Sequence, residues 1–200
     1  MKLERLFGGQ LKPFTLAELA AQTGLPLPSA RVLASRKVRA GGLTRVRRDL
    51  YLLADAFQDY EEKDFFLLAN MIQTPSYVSF TTALSYYNLT TQIQTSIVES
   101  ANPVRSCSYQ ATLTFRYIYC SQKYYFGFRR EDGFFVAEPE KGLLDCLYLI
   151  SLGRYSLDRS ALDLKGIRWG LFDRFVKKYP KRVQKFCKDW RRDYEDTRAA

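Results

Sequence analysis

The chain has 200 residues and a mass of 23.3 kDa, and 46% of its residues are hydrophobic and 26% charged, which excludes a disordered chain. Lys and Arg number 31 against 21 Asp and Glu, and the resulting net charge of +10 favours a polyanionic partner, most often nucleic acid. The chain has no histidine, so the sequence excludes a Ser-His triad and nearly every zinc site.

The positive charge is concentrated at the two ends of the chain. Residues 1–55 carry ten basic and four acidic side chains, residues 56–145 carry seven and ten, and residues 146–200 carry fourteen and seven. A single, uniformly basic domain would not have an acidic middle. We therefore predict a domain boundary near Ala54–Asp59.

The first predicted element is a helix that begins at Thr15. Thr15 and Glu18 have the S/T-x-x-E spacing of a capping box, and Gly24 is a typical helix C-cap. Two prolines follow, and the apolar spacing then predicts a second helix over about 29–38.

The second helix has two different faces. Ala30, Leu33, Ala34 and the stem of Lys37 lie at i, i+3, i+4 and i+7, so they share the inward face. The opposite face is cationic and rich in hydrogen-bonding groups, as a recognition helix in the DNA major groove requires. An ordinary helix with a solvated basic face is the alternative interpretation.

A basic hairpin is predicted directly after this helix. Gly41 and Gly42 form a turn, and LTRVRRDLYLL (43–53) alternates like a pair of strands with an arginine-rich tip. A helix-turn-helix followed by such a hairpin is typical of a winged helix, whose wing contacts phosphate or the minor groove. The predicted DNA-binding residues are Ser29, Arg31, Ser35, Arg36, Arg39, Arg45, Arg47 and Arg48.

The middle of the chain is predicted to mix helix and strand. A helix is expected over 61–73, then a short helix capped by Ser79 or Thr81, and then strands between Gln94 and Ala137. The sequence Arg-Glu-Asp-Gly at 130–133 is a typical hairpin turn between the last two strands.

Three carboxylates lie at the start of the next predicted helix. Glu138 and Glu140 flank Pro139 in its first turn, and Lys141 and Asp145 are spaced i, i+4 for an ion pair worth a few tenths of a kcal/mol. A magnesium-dependent nuclease would need acids that converge from separate elements, whereas these lie on one helix start. We therefore predict no catalytic site, no cofactor and no metal.

The C-terminal end is predicted to be helical, with an apolar stripe on each side of Pro180. Basic side chains surround the second stripe and form a candidate surface for a protein partner or for a second contact with nucleic acid. These residues are Lys181, Arg182, Lys185, Lys188, Arg191 and Arg192.

The spacing of the cysteines and the length of the apolar runs indicate the cellular compartment of the protein. The four cysteines contain no CxxC pair, so buried thiols in a reducing environment are expected. The first fourteen residues lack a signal-peptide pattern, and no apolar run is long enough to span a membrane. The sequence therefore predicts a cytoplasmic protein without a membrane partner.

Two segments carry a family resemblance. YVSFTTALSYYNLT (77–90) and YYFGFRREDGFFVAEPEKGLLDCLYL (124–149) resemble the AbiEi antitoxins of bacterial type IV toxin–antitoxin systems, as does the order of parts along the chain. The most specific piece is EPEKGLLD (138–145), in which Gly142 stands where alanine is expected.

The resemblance implies an α+β fold in which a winged helix-turn-helix domain (1–55) precedes a mixed α/β antitoxin domain (56–200). The second domain is expected to be strand-rich over 90–138 and helical over 139–200.

The resemblance also implies a function. Such proteins repress their own operon by binding inverted repeats in double-stranded operator DNA. The sequence leaves the oligomeric state open, since two half-sites could recruit two monomers cooperatively without a stable dimer. Such proteins also neutralise a cognate nucleotidyltransferase toxin in phage defence, without a stable complex being required. The first alternative is a plain winged-helix transcription factor whose C-terminal domain senses a ligand or dimerises. The weaker alternative is a magnesium-dependent nuclease.

Overall fold

The computed structural model describes residues 12–92 and 94–199, and it has a mixed α+β fold with about 48% helix and 21% strand. The predicted α+β class is confirmed at this level. The first eleven residues of the predicted N-terminal domain lie outside the described residues, and they include most of the fourteen residues in which no signal peptide is predicted. Over the described ranges, no helix is both long enough and apolar enough to cross a membrane.

Among the described residues, the N-terminal part contains two helices and a three-stranded sheet. The strands are antiparallel in the order β1-β3-β2, and the hairpin β2–β3 follows the second helix directly. The elements are β1 (Phe14–Thr15), α1 (Leu16–Thr23), α2 (Leu27–Arg39), β2 (Leu43–Arg47) and β3 (Leu50–Leu53).

Local sequence determines where α1 and α2 begin and end. The Thr15 hydroxyl accepts a 3.2 Å hydrogen bond from the Glu18 backbone N–H, and the Glu18 carboxylate accepts a 2.6 Å bond from the Thr15 N–H, so the predicted capping box is confirmed. Gly24 ends α1 in the left-handed conformation, with φ of 67°. α2 begins at Leu27, two residues earlier than predicted, because Pro28 fits the first turn, where its missing N–H is not needed.

In the described chain, a six-stranded sheet and five α-helices follow a 3₁₀ segment at Ala54–Asp59. The strand order is β6-β7-β5-β4-β9-β8, with β5/β7 and β4/β9 parallel and the other pairs antiparallel. The strands are β4 (Tyr77–Val78), β5 (Ile97–Asn102), β6 (Cys107–Gln110), β7 (Thr114–Tyr119), β8 (Phe128–Glu131) and β9 (Phe134–Ala137). The helices are α3 (Glu62–Ile72), α4 (Phe80–Tyr86), α5 (Pro139–Ser151), α6 (Trp169–Val176) and α7 (Lys181–Ala199).

The predicted hairpin turn between the last two strands is confirmed. Asp132 and Gly133 both have positive φ, 48° and 98°, as a tight two-residue turn requires. Gly142 has a packing role, because a Cβ atom added there would lie only 3.3 Å from the Cβ of Ala83. The glycine therefore allows α4 and α5 to approach closely.

The predicted i, i+4 ion pair of Lys141 and Asp145 is confirmed, and both side chains are buried. Lys141 is 0% exposed, and its ammonium donates hydrogen bonds to Asp145 and, at 2.9 Å, to the Tyr77 hydroxyl. The hydroxyls of Tyr77 and Ser79 donate to Asp145 Oδ2 at 3.0 and 2.7 Å. Ser79 therefore does not cap α4 through its side chain, and the polar cluster instead joins β4, the start of α4 and α5.

Candidate nucleic-acid interface

A cleft of about 450 Å³ lies between α2 and the hairpin β2–β3. Most of its lining is polar and charged, and side chains from both elements contribute to it. The lining residues are Arg31, Ser35, Val38, Arg39, Arg45, Arg48, Asp49 and Tyr51.

The helical side of the cleft follows from the apolar face of α2. Ala30 and Ala34 are completely buried, and their small side chains allow α2 to pack closely on α1. The opposite side of α2 is therefore exposed and carries Arg31, Ser35 and Arg39 at helical spacing. The predicted division of this helix into two faces is confirmed.

The hairpin side depends on an irregularity in β2. Residues 43 and 46 would point to opposite faces of a regular strand, yet Leu43 and Val46 are both buried. The register shifts between Arg45, which pairs with Tyr51, and Arg47, which pairs with Leu50. Such a bulge re-aims side chains, so both arginines of β2 are exposed while both apolar residues enter the core.

Within the described residues, the six arginines of α2 and the hairpin form no ion pair with a carboxylate. Each guanidinium offers five N–H donors and a permanent positive charge to a phosphate or a guanine edge. The six arginines are Arg31, Arg36, Arg39, Arg45, Arg47 and Arg48.

The structure groups five of the eight predicted DNA-binding residues in the cleft. The other three, Ser29, Arg36 and Arg47, are exposed but do not line it. The sequence interpretation missed Asp49, a carboxylate in the cleft that lies in the hairpin turn with φ of 61°. The Arg-Arg-Asp run before Leu50 was the available signal, because aspartate is among the residues that most readily adopt positive φ.

An exposed apolar side chain accompanies the basic face. Val32 lies on α2 next to Arg31 and is 59% exposed. A valine in this position adds an apolar contact surface between charged groups, and apolar side chains recognise the methyl group of thymine.

The basic residues predicted at the C-terminal end are not equivalent. Lys181, Arg182, Lys185, Lys188 and Arg192 are exposed, whereas Arg191 is half-buried. The Arg191 guanidinium lies 4.1 Å from the centre of the Trp169 ring and donates a 2.8 Å hydrogen bond to Glu195. These contacts tie Arg191 to the packing of α6 and α7.

Each of the three carboxylates at the start of α5 faces a basic side chain. Glu140 is buried and accepts hydrogen bonds of 2.9 and 3.1 Å from the Arg168 guanidinium, which also lies 3.5 Å from Glu138, while Asp145 pairs with Lys141. Burial opposes the ionisation of Glu140, but the hydrogen bonds from Arg168 outweigh it and lower the pKa of this carboxyl. Because each carboxylate already pairs with a basic side chain, the three carboxylates are poorly placed to bind one magnesium ion together.

Neither of two comparisons with known proteins finds a relative: no model of a protein family matches the chain, and no curated protein matches it. The family resemblance and the domain boundaries therefore stay predictions.

Proposed function

We propose that this protein is a sequence-specific DNA-binding repressor of its own operon. The observation that carries the proposal is the cleft in which unpaired guanidinium groups from a helix and from a hairpin converge. Unpaired arginines on one face form the electrostatic footprint of a nucleic-acid-binding surface.

The order and dimensions of the elements support a winged helix. α1, α2 and the hairpin β2–β3 follow one another as helix, helix and wing. An α-helix with its side chains is about 10–12 Å wide and the major groove about 12 Å, so α2 fits the groove. In this arrangement α2 reads base edges, and the arginines of the hairpin hold the neighbouring phosphates.

On the resemblance to the AbiEi antitoxins, we further propose that the remainder of the chain neutralises a nucleotidyltransferase toxin. The segments that carry the resemblance supply β4, α4, the hairpin β8–β9 and α5. Coexpression with a nucleotidyltransferase encoded next to this gene is expected to restore growth. Continued growth arrest, despite specific DNA binding, would leave a plain transcription factor as the function.

A second cavity favours that alternative. It measures about 550 Å³, and its lining includes Phe65, Phe66, Val98 and Glu62 from α3 and β5. This volume lies in the range of small-molecule sites, so a ligand-sensing transcription factor is the second candidate function.

Fluorescence anisotropy with two duplexes tests DNA binding. One duplex carries the sequence upstream of the gene, and the other carries the same bases scrambled. We expect the upstream duplex to bind about 10³-fold or more tightly at physiological salt. Equal, weak binding to both duplexes would overturn the proposal.

A matched pair of variants localises the binding. Arg45→Gln with Arg48→Gln removes two charges from the cleft, whereas Arg105→Gln with Arg130→Gln removes two exposed charges elsewhere. We expect only the first variant to bind the upstream duplex more weakly. An equal loss in both would show that net charge, and not the cleft, holds DNA.

A further inference from the structure

The cavity of about 550 Å³ has one wall formed by α3 and further walls formed by α4 and the start of β5. On α3, Glu62, Phe65 and Phe66 have the i, i+3 and i+4 spacing of a single helical face, and all three line the cavity. Phe65 and Ile97, which also lines it, are only half-buried, so part of their apolar surface is not covered by other side chains. A small molecule in the cavity can therefore bury apolar surface that the fold leaves accessible.

The lining of this cavity lacks the positive charge that dominates the rest of the chain. Ser85, Asn88 and Thr112 contribute hydroxyl and amide groups, which can orient a ligand by hydrogen bonds. Among the described residues that line the cavity, none is lysine or arginine, although the chain has 31 of them. These lining residues therefore offer no cation to a ligand that carries a phosphate or a carboxylate.

The charge in the described lining is negative and comes from Glu62. This residue is exposed at the rim, and within the described residues its carboxylate forms no ion pair. Partial burial raises the pKa of the Glu62 carboxyl, because it weakens the hydration of the charged form. A cationic group of a ligand next to Glu62 would supply the positive charge that this carboxylate lacks.

We propose that the cavity between α3, α4 and β5 binds a small amine with an apolar body. The apolar body packs against Phe65 and Ile97, and the ammonium group pairs with Glu62 at the rim. The net charge of +10 repels a cation at long range, so recognition depends on this local carboxylate. The role of the amine as a signal rests on the second candidate function, ligand sensing, whereas its binding does not.

Two naphthalene probes test the ligand class on the full-length protein. Naphthylmethylamine is a cation at neutral pH, and naphthylacetate is an anion with the same ring system. Equilibrium dialysis at low salt, read by naphthalene fluorescence, gives the affinity of each probe. We expect the amine to bind about tenfold more tightly or better, although the net charge of the protein favours the anion. Absence of amine binding, or acetate binding that is as tight, would overturn the proposal.

Two variants and a matched control place the amine in the cavity. Glu62→Gln removes the carboxylate of the rim, and Asp196→Asn removes an exposed carboxylate of α7 that does not line the cavity. We expect Glu62→Gln to lose about fivefold or more in affinity for the amine and the control to stay within about twofold. Ser85→Phe places a ring in the cavity, so it should abolish amine binding while circular dichroism verifies the fold.

The outcomes separate this inference from the proposal of DNA binding. Unchanged amine affinity in Glu62→Gln, or retained amine binding in a folded Ser85→Phe variant, would refute the assignment of the cavity. Anisotropy with the upstream duplex on the same preparations is an independent measurement. A failure of amine binding therefore leaves the DNA-binding proposal intact, and a failure of DNA binding leaves the amine site intact.

Discussion

Replacement of Lys141 by methionine tests whether the buried polar cluster holds the second part of the fold together. The ammonium of Lys141 is completely buried and bonds to Asp145, whose carboxylate also accepts hydrogen bonds from Tyr77 and Ser79. Methionine fills a similar volume but removes the positive charge. The carboxylate then stays buried with two hydroxyl donors and no cation.

The expected cost follows from these contacts. Loss of one partner of a buried ion pair costs about 3–5 kcal/mol, because the other charge is left uncompensated. The two remaining hydrogen bonds to Asp145 place Lys141→Met near the lower end, at about 3 kcal/mol. The double variant Lys141→Met with Asp145→Leu leaves no buried charge in the pair. It is expected to cost less than the sum of the two single variants by about 2 kcal/mol or more.

Urea unfolding, followed by circular dichroism, measures these free energies. Lys63→Met is the matched control, because Lys63 pairs with Asp132 and the two side chains are 53% and 55% exposed. Loss of that exposed pair is expected to cost less than about 1 kcal/mol. A cost for Lys141→Met as small as that of the control, or additive costs in the double variant, would refute the reasoning.

Three further predictions follow from single side chains. Asp49→Asn removes a negative charge that repels phosphate from the cleft, and asparagine also tolerates positive φ. By anisotropy at low salt, we expect the variant to bind duplex DNA about two- to threefold more tightly, and weaker binding would contradict this prediction. Burial raises the pKa of Glu99, so this residue contributes stability below its ordinary pKa and loses that contribution as pH rises, whereas the lowered pKa of Glu140 gives the opposite dependence. In thermal unfolding at neutral and acidic pH, we therefore expect Glu140→Gln to be less destabilising in acid than at neutral pH, and Glu99→Gln to be more destabilising in acid. Parallel pH profiles for the two variants would contradict this prediction. Burial raises the pKa of Cys187 to about 12, so iodoacetamide should label the half-buried Cys107 first in the folded protein, and earlier labelling of Cys187 by mass spectrometry would oppose this.

Features set by local sequence were predictable. The capping box of Thr15 and Glu18, the left-handed Gly24 and the Asp132–Gly133 turn depend on neighbouring residues, and the structure confirms each of them. The two faces of α2 were also predictable, because helical periodicity alone separates buried alanines from exposed arginines.

Features set by distant packing were not predictable. The burial of Lys141 depends on α5 packing against α4 and α6, and i, i+4 spacing carries no information on that environment. The sequence predicts strands between Gln94 and Ala137 but does not show how they divide or pair. The turn that separates β6 from β7 and the parallel pairing of β7 with β5 depend on contacts between distant residues. The cleft likewise depends on the bulge between Arg45 and Arg47, which reverses the alternation of β2.

The salt dependence of DNA binding tests the central claim, that the arginines of α2 and the hairpin hold duplex DNA. If the four arginines that line the cleft each neutralise a phosphate, log K should fall against log salt with a slope of about −3.6, and with all six arginines the slope approaches about −5.4. Between about 50 and 200 mM salt, affinity should then fall by about two to three orders of magnitude. The cleft variant Arg45→Gln with Arg48→Gln should bind with a slope shallower by about 1.8. A slope near zero in the wild type, or an unchanged slope in the variant, would contradict the claim.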